Sequence, residues 1–210
     1  MKVSEIFYSI QGESYFAGRP CTFVRLSGCN LRCAYCDTRY AYEDGTEVSV
    51  GDVVARAERY GCTLIEITGG EPLLQAETPL LAETLLERGY TVLVETNGSL
   101  DIRVLPPRVI CIMDLKCPSS GMSDRMDLRN LNALEEKDEL KFVIQDRGDY
   151  VWAKQTVLTF PLRPWRVSFS PVFGVLPLEE LASWVLEDRL EVRLQPQLHK
   201  YIWPDAYRGR

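Results

Sequence analysis

Three cysteines fall within eight residues near the start of the chain, at Cys29, Cys33 and Cys36. The spacing Cys-x3-Cys-x2-Cys sets three thiolates on one short loop, able to point at a common centre. A tetrahedral zinc site wants four ligands. No fourth Cys or His stands nearby, so a zinc knuckle would have to borrow Cys62, Cys117 or His199. A four-iron cluster normally takes four thiolates, one per iron, and three leave one iron with open coordination positions. The amino and carboxylate groups of S-adenosylmethionine (SAM) could chelate that iron. An electron from the reduced cluster would then enter the sulfonium, break its bond to the 5′ carbon and leave a 5′-deoxyadenosyl radical that abstracts an unreactive hydrogen.

A second element points the same way. Leu64-Ile65-Glu66-Ile67-Thr68-Gly69-Gly70-Glu71-Pro72 reads as a strand running into two glycines, an acid and a proline. Glycine lets a backbone approach a ligand closely, and the freed amides and carbonyls can bond the amino group of SAM. The cysteine loop, with aromatic Tyr35 just before Cys36, and this Gly-Gly-Glu-Pro turn about thirty residues later together resemble the radical SAM superfamily.

Further segments narrow the resemblance. They are 6–14 with its Gln11-Gly12-Glu13, 17–25 ending in Arg25, Cys36-Asp37-Thr38, 114–121, 170–174 and Gln195-Pro196-Gln197-Leu198-His199-Lys200. Together they resemble the 7-carboxy-7-deazaguanine synthase family. The resemblance implies ring contraction of 6-carboxy-5,6,7,8-tetrahydropterin with loss of ammonia, on the way to 7-deazapurines such as queuosine, and SAM regenerated after each turnover. It also implies a homodimer, an electron donor such as flavodoxin or ferredoxin, and a Mg²⁺ ion held by Thr38 and the substrate carboxylate. One hydroxyl holds Mg²⁺ poorly, so substrate oxygens and waters must complete the octahedron; Thr38 as a helix cap is the plainer alternative. On the substrate side the implied contacts are Ile10, Gln11, Gly12, Glu13, Arg25, Thr68 and His199. Gln11 and Glu13 suit the aminopyrimidinone edge, and Arg25 offers a fork for a carboxylate or else makes a surface ion pair. His199, the only histidine, tilts towards substrate recognition, with acid–base work open. On the SAM side they are Tyr35, Asp37, Gly70, Glu71, Lys116, Ser119, Ser170 and Phe173. Glu66 and Glu95 are expected to make structural polar contacts. Two other readings share parts of the pattern: a glycyl-radical activase with the same cysteine spacing, and a non-enzymatic metal-binding scaffold.

These residues need a scaffold. Short apolar segments rich in β-branched residues recur at 22–26, 64–68, 91–95, 109–114, 140–145, 166–170 and 190–194. Most lack strict alternation, as expected of strands buried on both faces of a parallel sheet. Helical patterns lie between them at 53–60 behind a Ser49 cap, 78–88 with Thr78 capping and Pro79 in the first turn, 150–156 and 178–187. Such alternation implies an α/β fold of right-handed βαβ units. A closed eight-fold barrel typically needs about 250 residues, against 210 here. An open, incomplete (βα) barrel of the radical SAM type is therefore expected, with functional groups at the C-terminal ends of its strands. One domain over 1–210 is anticipated, with the cluster loop at 28–38 and a substrate-contacting segment near 195–210. The polar stretch 118–139 is read as an active-site loop in slight preference to a long connection. The tail after Lys200 runs longer than in many members of the family, so its contacts are left unassigned.

Hydrophobic residues make up 46% of the chain, and 24 Lys and Arg against 30 Asp and Glu give a net charge of −6. That balance disfavours nucleic acid as a ligand. No signal peptide or membrane span is read, so a soluble, cytoplasmic protein is expected. Seven cysteines, unevenly spaced, argue against a disulfide framework; Cys21, Cys62, Cys111 and Cys117 read as small buried side chains.

Overall fold

A computed structural model describes residues 1–160, 166–205 and 208–209. One strand opens the chain, β1 (Lys2–Ile10), and turns back as β2 (Pro20–Leu26). After the cysteine loop and the short β3 (Thr46–Glu47) the chain alternates: α1 (Val50–Glu58), β4 (Leu64–Gly69), α2 (Thr78–Glu87), β5 (Thr91–Thr96), β6 (Ile110–Asp114), β7 (Glu139–Ile144), α3 (Arg147–Thr159), β8 (Val167–Pro171), α4 (Leu178–Glu187), β9 (Arg193–Leu194) and α5 (Leu198–Ile202). Among the described residues the strands form one sheet, β3-β1-β2-β4-β5-β6-β7-β8-β9. Every pair from β2 to β9 is parallel, while β1 runs antiparallel to β2 and β3. The sheet ends at β3 and β9 without closing, the expected open barrel.

The strands alternate more strictly than their sequences suggest. Ile65, Ile67, Val92 and Val94 point outwards and join Val53, Val54, Ala57, Leu81 and Leu85 of the first two helices in one aliphatic core. Cys111, Met113, Leu140, Phe142, Val167 and Phe169 do the same against Tyr150, Ala153 and Val157 of α3 and Leu181 and Val185 of α4. The inward residues divide by height. Phe7, Cys21, Phe23, Leu64, Leu93 and Ile112 form an apolar floor. Above it, nearer the strand C-termini, the same face carries Glu66, Thr68, Glu95, Asp114 and Lys141, all on the wall of one cavity. Burial on both faces hides this pattern from a simple count of polar residues.

Local signals account for several boundaries. Ser49 caps α1, its hydroxyl accepting from Asp52 N at 3.1 Å, and Asp146 caps α3 by accepting from Asp149 N at 3.0 Å. Thr78 does not cap α2 as expected: it is the first helical residue, and its hydroxyl donates to the Pro72 carbonyl at 2.6 Å. The β1 strand was missed, because 6–14 reads as a motif, and the last predicted strand, 190–194, contracts to two residues. The stretch 118–139 is a long connection of three 3₁₀ turns, not an active-site loop. Leu131, Met126, Ala133 and Leu134 anchor it to the second aliphatic core, and none of its residues lines the cavity.

Candidate active site

A cavity of about 570 Å³ opens at the C-terminal ends of the strands. Cys29, Cys33 and Cys36 share one wall. The loop that carries them is braced by its neighbours: Gly28 N donates to Ala41 O at 2.8 Å, Glu71 N to Gly28 O at 2.8 Å and Ala34 N to Ser120 O at 3.0 Å. Gly70 fits under this loop so closely that a Cβ would stand 2.2 Å from Gly28 O and 2.7 Å from Cys29 Cβ. The glycine is thus required by the approach of two backbones, and Gly70 also lines the cavity.

Three thiols on one wall suit an iron–sulfur cluster with an open iron. The zinc alternative loses two of its possible fourth ligands. Cys117 is fully buried in the second aliphatic core, and Cys62 donates its thiol to Pro20 O at 3.2 Å; neither lines the cavity. Every cysteine is unbridged. Among the described residues no set of three His, Cys, Asp or Glu side chains is already drawn together as a metal site; the thiols share a wall.

Of the expected SAM contacts, Tyr35, Asp37, Gly70, Lys116 and Phe173 line the cavity. Lys116 pairs with Asp114 at 2.8 Å, and Tyr35 donates to Val143 O at 3.3 Å. Three others stand elsewhere. The Glu71 carboxylate turns away into the protein, accepting from Thr96 Oγ1 at 2.7 Å, Asn97 N at 2.7 Å and Leu73 N at 3.0 Å. Ser119 donates its hydroxyl to Asp149. Ser170 is fully buried beneath the wall, its hydroxyl without a protein partner.

The substrate candidates Ile10, Gln11, Gly12, Glu13, Arg25, Thr68 and His199 all line the cavity. Gln11 donates through Nε2 to Glu66 and accepts from Glu13 N at 2.9 Å. Arg25 is mostly buried and pairs through Nε with Glu5 at 2.8 Å, so it is an ion pair facing the cavity. Thr38 occupies the cap position of the 3₁₀ turn Arg39–Tyr42 but does not cap it; its hydroxyl donates to Asp37 Oδ1 at 2.8 Å. The C-terminal segment lies alongside. Leu198 N donates to Gly12 O at 2.9 Å, Gln197 to Glu13 Oε1 at 2.8 Å and Lys200 to Asp37 Oδ2 at 2.6 Å. His199 rests on Gly12, where a Cβ would meet its Nδ1 at 2.1 Å. Burial lowers the His199 pKa, with Glu13 opposing. Trp203, Pro204 and Arg208 of the tail complete this side.

Several groups escaped the sequence reading. Lys141 and Asp114 were not singled out, and Glu66 and Glu95 were assigned to structural contacts, yet all four face the cavity. Lys141 pairs with Glu13 and with Glu95 at 2.9 Å, and lies 3.7 Å from Asp114. Glu95 also accepts from Thr68 at 3.3 Å. The signal was a charged residue at inward parity on each of four successive strands, β4 to β7. Opposed surroundings set two of these carboxyls apart. Burial pushes Glu13 up, but Lys141 and His199 outweigh it and bring the pKa down to about 2. Burial pushes Glu66 well above its ordinary value, and Glu95 and Glu13 add to the rise.

Comparison with known proteins agrees with this geometry. Residues 23–112 match the family model of the radical SAM superfamily. The 7-carboxy-7-deazaguanine synthase of Chlorobaculum tepidum is 48% identical, over 98% of this chain and 96% of its own. That of Koribacter versatilis is 42% identical over the whole of both. Among solved structures, QueE from Escherichia coli superposes with a TM-score of 0.78 over 94% of each chain at 24% identity, a likeness that bears on fold alone.

Proposed function

Because the chain belongs to the 7-carboxy-7-deazaguanine synthase family of radical SAM enzymes, we propose that its cavity holds 6-carboxy-5,6,7,8-tetrahydropterin between the cysteine wall and the charged layer of β4–β7. The reaction is ring contraction to 7-carboxy-7-deazaguanine with loss of ammonia, in queuosine biosynthesis. The observation that carries the proposal is the single cavity shared by three thiols and by Gln11, Glu13, Arg25 and His199. Bound, the cluster and SAM supply one electron and a hydrogen-abstracting organic radical. Cys29, Cys33 and Cys36 are the cluster ligands. Tyr35, Gly70, Lys116 and Phe173 border SAM, and Asp37 fixes the end of the cysteine loop.

The chain's own groups bind and orient the pterin. The Gln11 amide and the ionised Glu13 accept and donate along the aminopyrimidinone edge, while Arg25 faces the carboxylate. Thr38 has a free lone pair after donating to Asp37, and with the substrate carboxylate it holds Mg²⁺. His199, uncharged at neutral pH, can accept a proton from the substrate or hand one to it. Segment 195–205 limits water over the bound ring. An external electron donor such as flavodoxin or ferredoxin, a cytoplasmic setting and a homodimer belong to the same reading; no helix among the described residues is long and apolar enough to cross a membrane.

Anaerobic reconstitution tests the proposal. About four irons per chain, SAM-dependent consumption of the carboxypterin and a Mg²⁺-stimulated deazaguanine product are expected. One bound zinc with no turnover overturns it.

A further inference from the structure

Lys141 stands where an ammonium group has most to lose. Its side chain is 5% exposed, at inward parity on β7, level with Asp114 of β6. Taking an ammonium out of water costs several kcal/mol before any partner repays it, and buried ion pairs replaced by well-packed apolar groups are often no less stable. The fold alone therefore gives little reason for this charge. The outward neighbours Leu140 and Phe142 supply the packing of β7. Lys141 instead faces the cavity, and so do the groups it touches.

Those groups come from separate elements. Glu13 is on the loop between β1 and β2, Glu95 on β5 and Asp114 on β6, with Asp114 shared between Lys141 and Lys116. Also facing this cluster are Glu66 on β4, Arg25 on β2, His199 and Lys200 on α5 and Asp37 on the cysteine loop. A carboxylate buried among these acids is easily protonated, and a protonated carboxyl loses one of its acceptor faces. The nearby ammonium, with His199, prevents that for Glu13. The ammonium's bonds to Glu13 and Glu95 also set the directions in which their remaining lone pairs point.

We propose that Lys141 is a positioning residue: its ammonium clamps Glu13 and Glu95 together as a pair of anionic acceptors aimed at the N–H groups on the aminopyrimidinone edge of the pterin. The clamp gives the site its preference for an N–H-rich heterocycle and leaves the carboxylate end to Arg25. It rests on the pterin reading above, deepening it by one residue that acts through two others.

Equilibrium binding of the oxidised, unreactive 6-carboxypterin to the reconstituted, SAM-loaded enzyme tests the clamp between pH 6.5 and 8. Wild type should bind with an affinity that is flat across this range. Lys141→Met should bind at least tenfold more weakly at pH 6.5 and regain affinity towards pH 8, as the unclamped Glu13 carboxyl gives up its proton. Lys141→Arg, which keeps the charge, should recover most of the affinity and the flat profile. The double variant Lys141→Met with Glu95→Gln removes one charge of each sign and guards against misfolding of the single one; it should fold and still bind at least tenfold more weakly. Wild-type affinity in either Met variant overturns the clamp. So does a weak but pH-independent Lys141→Met that Arg fails to rescue, which is the mark of a merely structural lysine. If wild type itself does not bind the carboxypterin, the pterin reading falls, a result separate from either.

Discussion

Glu13 and Glu66 line one cavity, and their pKa values are driven in opposite directions because each meets different neighbours. Glu13 touches an ammonium and a glutamine amide, while Glu66 accepts from the Gln11 amide and lies near two further carboxylates. Glu13 is ionised at neutral pH, while burial favours the protonated form of Glu66. Replacing each by glutamine should separate them. Glu13→Gln deletes a charged acceptor from the site, and carboxypterin affinity should fall by roughly 10- to 100-fold, the worth of one charge-assisted hydrogen bond. Glu66→Gln puts a group with no proton to lose in the same place. The native state holds the Glu66 proton at pH values where the unfolded chain has released it, so raising pH above the ordinary glutamate range costs wild-type stability. The variant escapes that loss, and its melting temperature should equal or exceed wild type at pH 8. A lower melting temperature there would mean that Glu66 is ionised in the folded protein.

At the scale of elements, the turn after β4 and the helix α5 do different work on the same cavity. Gly70 lets that turn press on the cysteine loop, so Gly70→Ala must displace Gly28 or Cys29 by more than an ångström to relieve a 2.2 Å contact. Iron incorporation should fall several-fold, measured per folded chain after reconstitution. The α5 helix reaches the same loop from the other side through Lys200 and Asp37. That pair is partly exposed, so it contributes under about 1 kcal/mol to stability. Lys200→Ala should leave the melting temperature unchanged while weakening Mg²⁺ stimulation, because Asp37 no longer holds the Thr38 hydroxyl in place. Much of this was legible beforehand: the cysteine spacing, the two glycines and the Gln11–Glu13 and His199 segments all meet in space. The charged layer was not. Its four members lie far apart in sequence, from Glu66 to Lys141, each on a different, largely apolar strand. Only the parity of each strand, fixed by which face the helices cover, brings them to one wall. Glu71 and Ser119 show the converse: Glu71 follows the cavity residue Gly70 and Ser119 comes three residues after Lys116, but their side chains bond Thr96 and Asp149.

The whole molecule is an open barrel, and its gap is closed by loops where a closed barrel would use strands. The β1–β2 loop crosses from one end of the sheet towards β7, β8 and β9. Tyr15 N donates to both carboxyl oxygens of Glu139 at 3.0 Å, and the Tyr15 ring lies between the guanidinium groups of Arg166 and Arg193, at 5.3 and 4.8 Å. Glu139 is fully buried at the start of β7. Burial pushes its pKa from 4.5 to about 7, against the pull of the Tyr15 amide and the two arginines. The sign of the consequence follows from proton counting. Between pH 4.5 and 7 the folded protein still carries this proton and the unfolded chain has lost it, so stability falls as pH rises through that window. A rise from 4.5 to about 7 corresponds to at most ~3 kcal/mol. Glu139→Gln keeps an oxygen to accept from Tyr15 and has no proton to lose. Urea unfolding at pH 5 and pH 8 should therefore show wild type losing 1 to ~3 kcal/mol more than the variant between the two values. The seam holds Glu13 over the cavity without changing the charge on Glu13 itself, so the carboxypterin affinity of the folded protein should stay level with pH in wild type and in Glu139→Gln alike. A stability difference that is constant with pH would place the ionised form of Glu139 in the folded protein and leave the seam insensitive to protons.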